Sequence, residues 1–442
     1  MSRILLYFSR FFVGILFIFS GLIKGNDPLG FSYKLEEYFE KFSEILKEEN
    51  YIFFASLMDF FASFSLSLAI IIVIAEIALG VLLITGSYIK KVAWLSLLLI
   101  VFFTFLTFVS WKFELVKSCG CFGDAIPLTP YQSFIKDLIL LIFIVFIFIY
   151  RKNIEPLLDK NYNLIALFCS IGVAFIFTWY CYQHLPLKDF LAYAKGKRLL
   201  PQMEVIKGNP LTLYVFKDKT TGDEIKFKNY PIDYDNWEYV TFENISGEIT
   251  LHEIERKGIE NNFVLEIPSK YSNDWKILNT TTEIYTPDIE PKIQQLSAQS
   301  IDGGETDHIL EILNDTSYQF LLIIRQLKTL GDFEKTNMGL KFIANSKGKK
   351  MVDQVQELYS QSKKENIKFY ALCSEGDFEK IKSFKMENNF DFSIYSSDDT
   401  ELKTMIRSSP GLFFMKGDSV IQKWHHNDFP RFKKVKNKYL NL

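Results

Sequence analysis

Two cysteines with one glycine between them, Cys119 and Cys121, lie in the run Ser118-Cys119-Gly120-Cys121-Phe122-Gly123-Asp124. The run forms a short polar loop between two long apolar segments, and the 442-residue chain has only five cysteines. A thiol pair so placed points to redox chemistry or metal binding. At this spacing the two Cα atoms can stand about 5.5–7 Å apart, so a bridge forms if the chain bends. Gly120 permits the bend. A loop this small restricts the unfolded chain very little, which argues against a staple. A strained bridge is easily reduced, as an electron-accepting disulfide must be. The plain alternative is a vestigial pair, or two small apolar residues in a tight turn.

Cys181 and His184 stand at the end of a later apolar run. At i, i+3 on a helix both would face one way, giving a third thiol for exchange or further metal ligands. A Cys3His zinc site made with Cys119 and Cys121 fits the ligand chemistry. It is disfavoured because buried cysteine is common and His184 can simply close a helix, so no metal is expected. Glu76 falls near the centre of an apolar run. An intramembrane carboxylate needs a partner and is a functional candidate by default. Lys24 is the first choice of partner, with Ser20 or Asp137 as substitutes; alone, Lys24 would snorkel to the interface. A proton relay and a structural hydrogen bond are both open for Glu76. Cys169 and Cys373 read as packing residues. His425 and His426, adjacent on a strand, should face opposite ways and share no metal.

These residues must be positioned by a membrane. Five stretches, about 4–24, 66–86, 92–110, 131–150 and 163–183, approach the roughly 20 residues that a bilayer core requires. No small-residue cleavage site follows the first, so it is expected to remain as a span. Thr129-Pro130 opens the fourth with proline at the first helical position, placing Lys136 and Asp137 in the headgroup layer. Residues 51–65 suit a helix lying at the interface. Lys and Arg counts do not fix the orientation. With five spans, however, the 25–65 segment, the Cys119 loop and everything after Gln183 share one side. The formal net charge of −2 leaves no broad basic surface for nucleic acid.

Beyond residue 183 the chain is charged and mixed. Leu211–Phe216, Glu224–Lys228, Glu238–Phe242, Phe263–Ile267 and Glu283–Tyr285 read as strands. From about 295, strand, helix, strand, helix, hairpin and helix alternate. This order resembles the thioredoxin fold, and the detail that carries the resemblance is Ser408-Ser409-Pro410-Gly411 before a strand. The resemblance implies a cis-proline loop at Ser409 and Pro410. The family's Cys-x-x-Cys should follow the Tyr318 strand, but Gln326-Leu327-Lys328-Thr329-Leu330 stands there. The domain is thus expected to bind a partner or cap the membrane half.

Residues 1–150 resemble the DoxX/MauE family of four-helix membrane proteins. The matching features are Phe19-Ser20-Gly21-Leu22-Ile23-Lys24 leading into Asp27-Pro28, Glu76 with Gly80, and Cys119-Gly120-Cys121-Phe122-Gly123-Asp124. The combination with a following thioredoxin-like domain is similar to the Bacteroidetes type. The expected fold is therefore an all-α four-helix membrane bundle (1–150), a fifth transmembrane helix and connector (151–200), a β-rich linker domain (201–294) and a soluble α/β thioredoxin-like domain lacking Cys-x-x-Cys (295–442). The resemblance implies a multi-pass protein of the bacterial inner membrane, N-terminus cytoplasmic and C-terminal domain periplasmic, supporting thiol–disulfide chemistry of the cell envelope. Its partners would be membrane lipid and an exported client with thiols, and its cofactor a membrane quinone. Whether it is an enzyme, a quinone-linked thiol oxidoreductase, stays open. The alternative is a non-catalytic membrane scaffold whose degenerate thioredoxin-like domain binds an envelope partner.

Overall fold

The computed structural model describes residues 2–113, 122–231, 234–256, 259–265, 275–301, 306–337 and 339–440. The chain forms two compact units, residues 1–199 with 295–442, and residues 200–294.

The first unit begins with α1 (Ser2–Asn26), α2 (Pro28–Glu48), α3 (Ile52–Ser63), α4 (Ser65–Thr85), α5 (Ile89–Phe113), α6 (Pro130–Ile149) and α7 (Lys160–Gln183). Among the described residues five helices are long and apolar enough to cross a membrane: Ile4–Asn26, Ser65–Thr85, Ile89–Phe113, Pro130–Ile149 and Asn161–Gln183. They match the five stretches read from hydropathy. The amphipathic α2 and the short apolar α3 fill the interval between the first two. α3 leaves Phe53, Phe54 and Phe60 exposed, as an interfacial helix should.

α1 runs along α4, α5 along α6, and α7 packs on α4. The α1–α4 contact is close because two glycines meet there. A Cβ on Gly80 would lie 2.7 Å from the Gly14 carbonyl oxygen, and one on Gly14 2.8 Å from that of Gly80. Small residues let apolar helices approach to backbone contact where no hydrophobic force drives them together. Arg10 is 1% exposed. It donates to the Leu83 and Ile84 carbonyls at 3.0 and 2.8 Å, satisfying the open C-terminus of α4. At the start of α6, Thr129 and Gln132 form a reciprocal capping box ahead of Pro130. Asp137 on α6 is withdrawn into the helix bundle. It is 1% exposed, accepting from Thr107 Oγ1 at 3.2 Å and from Lys136 Nζ at 2.7 Å.

The second unit starts with the short helix α8 (Leu200–Met203). It is otherwise built from β1 (Leu211–Asp218), β2 (Glu224–Phe227), β3 (Trp237–Ile245), β4 (Gly247–Arg256), β5 (Ile259–Val264) and β6 (Trp275–Tyr285). All pairings are antiparallel, in the order β3-β1-β2-β5-β4-β6. Strand β4 was not expected. Its apolar positions Ile249 and Leu251 keep one phase, then a bulge at Glu253/Ile254 shifts the register. The alternation is therefore broken in sequence but continuous in space. β6 is an edge strand whose threonine run, 280–282, interrupts its apolar residues, and only its last residues, 283–285, were expected as strand. The end of the expected Phe263–Ile267 strand lies outside the described residues.

The first unit resumes with α9 (Ile309–Asn314), β7 (Tyr318–Ile324), β8 (Gly331–Thr336), β9 (Gly339–Ala344), α10 (Ser346–Lys364), β10 (Lys368–Cys373), α11 (Phe378–Glu387), β11 (Ser393–Ser396), α12 (Asp399–Met405), β12 (Gly411–Lys416), β13 (Ser419–His425) and α13 (Phe432–Val435). The main sheet has the order β11-β10-β7-β12-β13. β11, β10 and β7 are parallel, and β12 and β13 are antiparallel. β7 is central, and residues 319–324 are all buried. α10 and α11 bury Val355, Leu358, Ile381 and Phe384 in the core formed with Phe320, Leu322 and Phe414. The Ser409–Pro410 peptide is cis. The β8–β9 hairpin, missed in the sequence because β8 has a single large apolar residue, Phe333, among charged ones, is inserted between β7 and α10.

Replacing Gly80 with leucine should force α1 and α4 apart and cost about 1–3 kcal/mol, read as a lower melting temperature of the detergent-solubilised protein. Gly172→Leu is the control, since a Cβ there meets nothing within 4 Å; equal effects from both would discard the close-approach account.

Candidate functional site

Glu76 finds its partner one helix away. The Lys24 ammonium lies 2.5 Å from Glu76 Oε1, with both side chains at most 5% exposed. Ser20 Oγ donates to Glu76 Oε2 at 3.3 Å. Lys24 does not snorkel. Its ammonium sits 4.5 Å from the Phe103 ring centre and 5.1 Å from that of Phe31. α1 and α4 are antiparallel, so the end of one and the middle of the other meet at one depth.

Directly beyond Lys24 the chain turns. Asp27 caps α2 by accepting from Gly30 N at 2.8 Å. The same carboxylate receives Arg407 Nε at 2.8 Å, while Arg407 Nη2 donates to Asp124 at 3.1 Å. Arg407 is 6% exposed, Asp27 20% and Asp124 51%. Burial opposes the Arg407 charge, but the two carboxylates outweigh it and raise its pKa. Arg325, immediately after β7, donates through Nε and Nη2 to the two Asp399 oxygens, both at 3.0 Å, a bidentate fork. Its Nη1 donates to the Tyr33 hydroxyl at 3.0 Å, and its backbone N–H to Ser409 Oγ at 3.2 Å. The Tyr33 ring on α2 lies within 5.3–5.6 Å of Arg325, Lys403 and Arg407. Burial pushes its phenol up, against the pull of the two arginines.

These contacts join three segments that the five-span arrangement places on one side: the α1–α2 turn, the loop ending at Asp124, and the region after Gln183. Asn26 adds to the junction by donating to the Lys188 carbonyl at 2.7 Å. Lys423, 4% exposed, meets Asp189 at 2.8 Å. The three segments border a cavity of about 400 Å³. Its walls include Lys24, Asp27, Tyr33, Asp124, Lys188 and Arg407.

Cys119 and Cys121 lie outside the described residues. Just after them, Phe122 packs on Phe19 with ring centres 5.8 Å apart and under Lys136. Cys181 is buried. The i, i+3 pairing with His184 does not form, because α7 ends at Gln183 and His184 is extended, at φ −131° and ψ −176°. His184 instead bonds Asp428 at 2.8 Å. No cluster of three His, Cys, Asp or Glu side chains fit for a metal occurs among the described residues. Cys169 is exposed and not a packing residue as read. Cys373 is buried as expected, and burial pushes its thiol up to about 12. His425 and His426 do not diverge. β13 ends at His425, a 3-10 turn follows, and the two rings stand 4.0 Å apart.

Sequence reasoning missed Arg407, Arg325 and Tyr33, and named Asp124 only as the last residue of the Cys119 motif. Only Asp27-Pro28 carried a local signal, as a helix cap. The others are defined by partners as many as 380 residues away.

Residues 2–150 match the family model described as Methylamine utilisation protein MauE. Over those residues the chain is MauE-like, and the fifth apolar helix lies beyond them. A stretch of 89 residues, 20% of this chain, is 35% identical to Protein TlpB of Flavobacterium psychrophilum. The match spans 23% of that relative's length. No solved structure matches at a significant level. Together with the five apolar helices, the MauE match makes this a multi-pass membrane protein.

Removing the Arg407 guanidinium strands two carboxylates, of which Asp27 is the more buried. Arg407→Ala should cost about 3–5 kcal/mol, and hydrogen exchange should speed up at 27–31, 122–127 and 399–411 together. Unchanged exchange in the first two segments would show that Arg407 does not hold them. A second outcome concerns pH. Burial pushes His425 down to about 3 and His426 to about 4, below the ordinary 6.5. The unfolded chain therefore takes up protons first, and stability falls as pH drops from about 6.5 toward 4. His425→Gln should flatten the melting temperature across that window; an unaltered pH slope would refute the assignment.

Proposed function

We propose that this protein carries out thiol–disulfide exchange in the bacterial envelope through Cys119 and Cys121. In this reading the N-terminus is cytoplasmic and the C-terminal domain periplasmic and thioredoxin-like. The observation that carries the proposal is the Arg407–Asp124 contact. Arg407 precedes the cis Ser409–Pro410 peptide, and Asp124 lies three residues past Cys121. The end of the domain where a thioredoxin-like protein would hold its cysteines is thus tied to the loop that follows Cys121. Sheet order β11-β10-β7-β12-β13 and the cis-proline support the thioredoxin-like assignment, and the MauE match supports the membrane half.

The domain would supply positioning and client recognition, and the loop the sulfur chemistry. A client thiolate attacks the Cys119–Cys121 disulfide, forming a mixed disulfide and releasing one loop thiolate. The second client thiol then displaces the other loop sulfur, leaving an oxidised client and a reduced pair. A membrane quinone would take the two electrons and two protons that restore the bridge.

One observation favours the scaffold alternative. Where the cysteine pair should follow β7, Arg325 is fully committed to Asp399, Tyr33 and Ser409. On that reading the domain only docks.

Acid-quenched trapping in cells separates the two. Cys119→Ser or Cys121→Ser should accumulate a mixed disulfide with an exported protein, and the double variant should leave client thiols more reduced. Loop thiols that stay reduced and unmodified in wild type, with client thiols indifferent to the double variant, would select the scaffold.

A further inference from the structure

α4 and α5 follow one another across the turn at Gly86, yet each packs mainly elsewhere, α4 along α1 and α7 and α5 along α6. The interval between them is a groove of about 1010 Å³. None of the side chains lining it carries a charge, a hydroxyl or an amide. On α5 the lining runs Leu95, Leu98, Phe102, Phe105, Val109 and Phe113. These positions recur every three or four residues, so they form one stripe of the helix. The stripe is about 27 Å long at 1.5 Å per residue, close to the depth of a bilayer's hydrocarbon core. Leu95, Leu98, Phe105 and Phe113 are each more than half exposed. At the end nearest the C-terminal domain α2 and α3 add Phe42 and Phe61, and toward the other end α7 adds Leu167.

An apolar space of this kind excludes water, and lining atoms left without neighbours forfeit their dispersion contacts. What enters must therefore be apolar along its length. A helix of a second copy, about 10 Å across with its side chains, would need roughly 2,000 Å³ over the same distance, twice the space there is. A hydrocarbon chain is thinner and needs no hydrogen-bonding partner.

The end remote from the C-terminal domain carries charge. Continued one turn toward the start of α5, the stripe reaches Lys91, with Lys90 beside it. Both are exposed, and neither forms an ion pair among the described residues. Long cationic side chains keep their stems on apolar surface and their heads in water, so the ammonium groups stand at the membrane surface just outside the groove. Apart from the buried Arg10, the described charged side chains of that end are Lys90, Lys91, Arg151 and Lys152 against Glu155 and Asp159. The excess is positive, which suits an anionic headgroup.

We infer that the α4–α5 groove binds an anionic phospholipid of the leaflet remote from the C-terminal domain. One acyl chain enters between Leu82 and Leu95 and runs along the α5 stripe, and the phosphate is met by Lys90 and Lys91. The groove orders the chain, and the two lysines select the headgroup. Neither role involves a thiol.

The experiment uses the full chain in phosphatidylcholine nanodiscs doped with phosphatidylglycerol that carries a diazirine in one acyl chain. After irradiation, cross-linked peptides are mapped by mass spectrometry. Cross-links should concentrate on residues 68–82 and 95–113, above the level at Ile142 of α6 and Val173 of α7, which are just as exposed. Phosphatidylcholine with the same chain should cross-link in the groove about tenfold less, and Lys90→Gln/Lys91→Gln should lower the phosphatidylglycerol yield to that level. Both lysines lie on the surface, so the variant keeps its fold, checked by an unchanged melting temperature. Cross-links spread evenly over the groove, Ile142 and Val173 would show annular lipid only and overturn the inference. So would equal yields from the two headgroups, or an undiminished yield in the lysine variant. Displacement by unlabelled neutral polyprenol as effective as by unlabelled phosphatidylglycerol would give the groove to an isoprenoid tail. A disulfide-linked Leu98→Cys dimer in native membranes would give it to a second copy. Because the cross-linking yields do not depend on Cys119 or Cys121, their failure leaves the thiol proposal untouched.

Discussion

A guanidinium withdrawn from water must be met by carboxylate, and the placement of Arg407 follows from that constraint. Its two carboxylate acceptors, Asp27 and Asp124, belong to the membrane half, while the arginine belongs to the C-terminal domain. Asp27 also caps α2, so one carboxylate fixes a helix start and receives the guanidinium. Neither half satisfies these charges alone. Exposed ion pairs contribute little, but Arg407 is nearly fully covered, and its loss leaves the stronger acceptor without a counter-charge. Pairing of a withdrawn cation with carboxylate recurs at Lys423 with Asp189 of the connector and, inside the C-terminal domain, at Arg325 with Asp399, while Arg325 crosses to the membrane half through the Tyr33 hydroxyl. The junction is therefore held by ionic contacts of fixed geometry more than by a greasy face.

The membrane half solves a different problem by different means. Helices surrounded by lipid gain nothing hydrophobic by meeting one another. Backbone proximity at Gly14 and Gly80, the Arg10 contact to the end of α4, and the Thr107–Asp137 hydrogen bond supply specific contacts instead. The buried polar groups Lys24, Glu76 and Asp137 then read as deliberate departures from an apolar plan.

Much of this was legible in the sequence because it is local. Five spans follow from hydropathy, the start of α6 from Thr129-Pro130, and the strand–helix alternation after residue 318 from periodicity. The Glu76 partner was also within reach, since an intramembrane carboxylate needs a cation and few are near. What escaped was set by distant or masked patterns. β4 changes phase at a bulge, threonines interrupt the apolar residues of β6, and β8 sets a single large apolar residue, Phe333, among charged ones. His184 looked like a ligand only while the helix was assumed to run through it. Arg407 looked like any surface arginine, because its acceptors are hundreds of residues away.

The exchange of chemistry between the two halves is the remaining link. On the proposed thioredoxin-like reading, Arg325 occupies the stretch after β7 where a cysteine pair would stand, and its fork, its third nitrogen and its backbone N–H are all engaged. A side chain so constrained cannot act as a mobile recognition arm. It instead fixes Asp399 at the head of α12 and the Tyr33 ring, and α12 leads into Arg407. A fold that in redox-active form presents a nucleophile would here present a rigid cationic surface. That surface is complementary to the acidic side chains at the α1–α2 turn and beyond Cys121. On that reading the stretch after β7 supports the loop that follows Cys121 and does not itself supply a nucleophile.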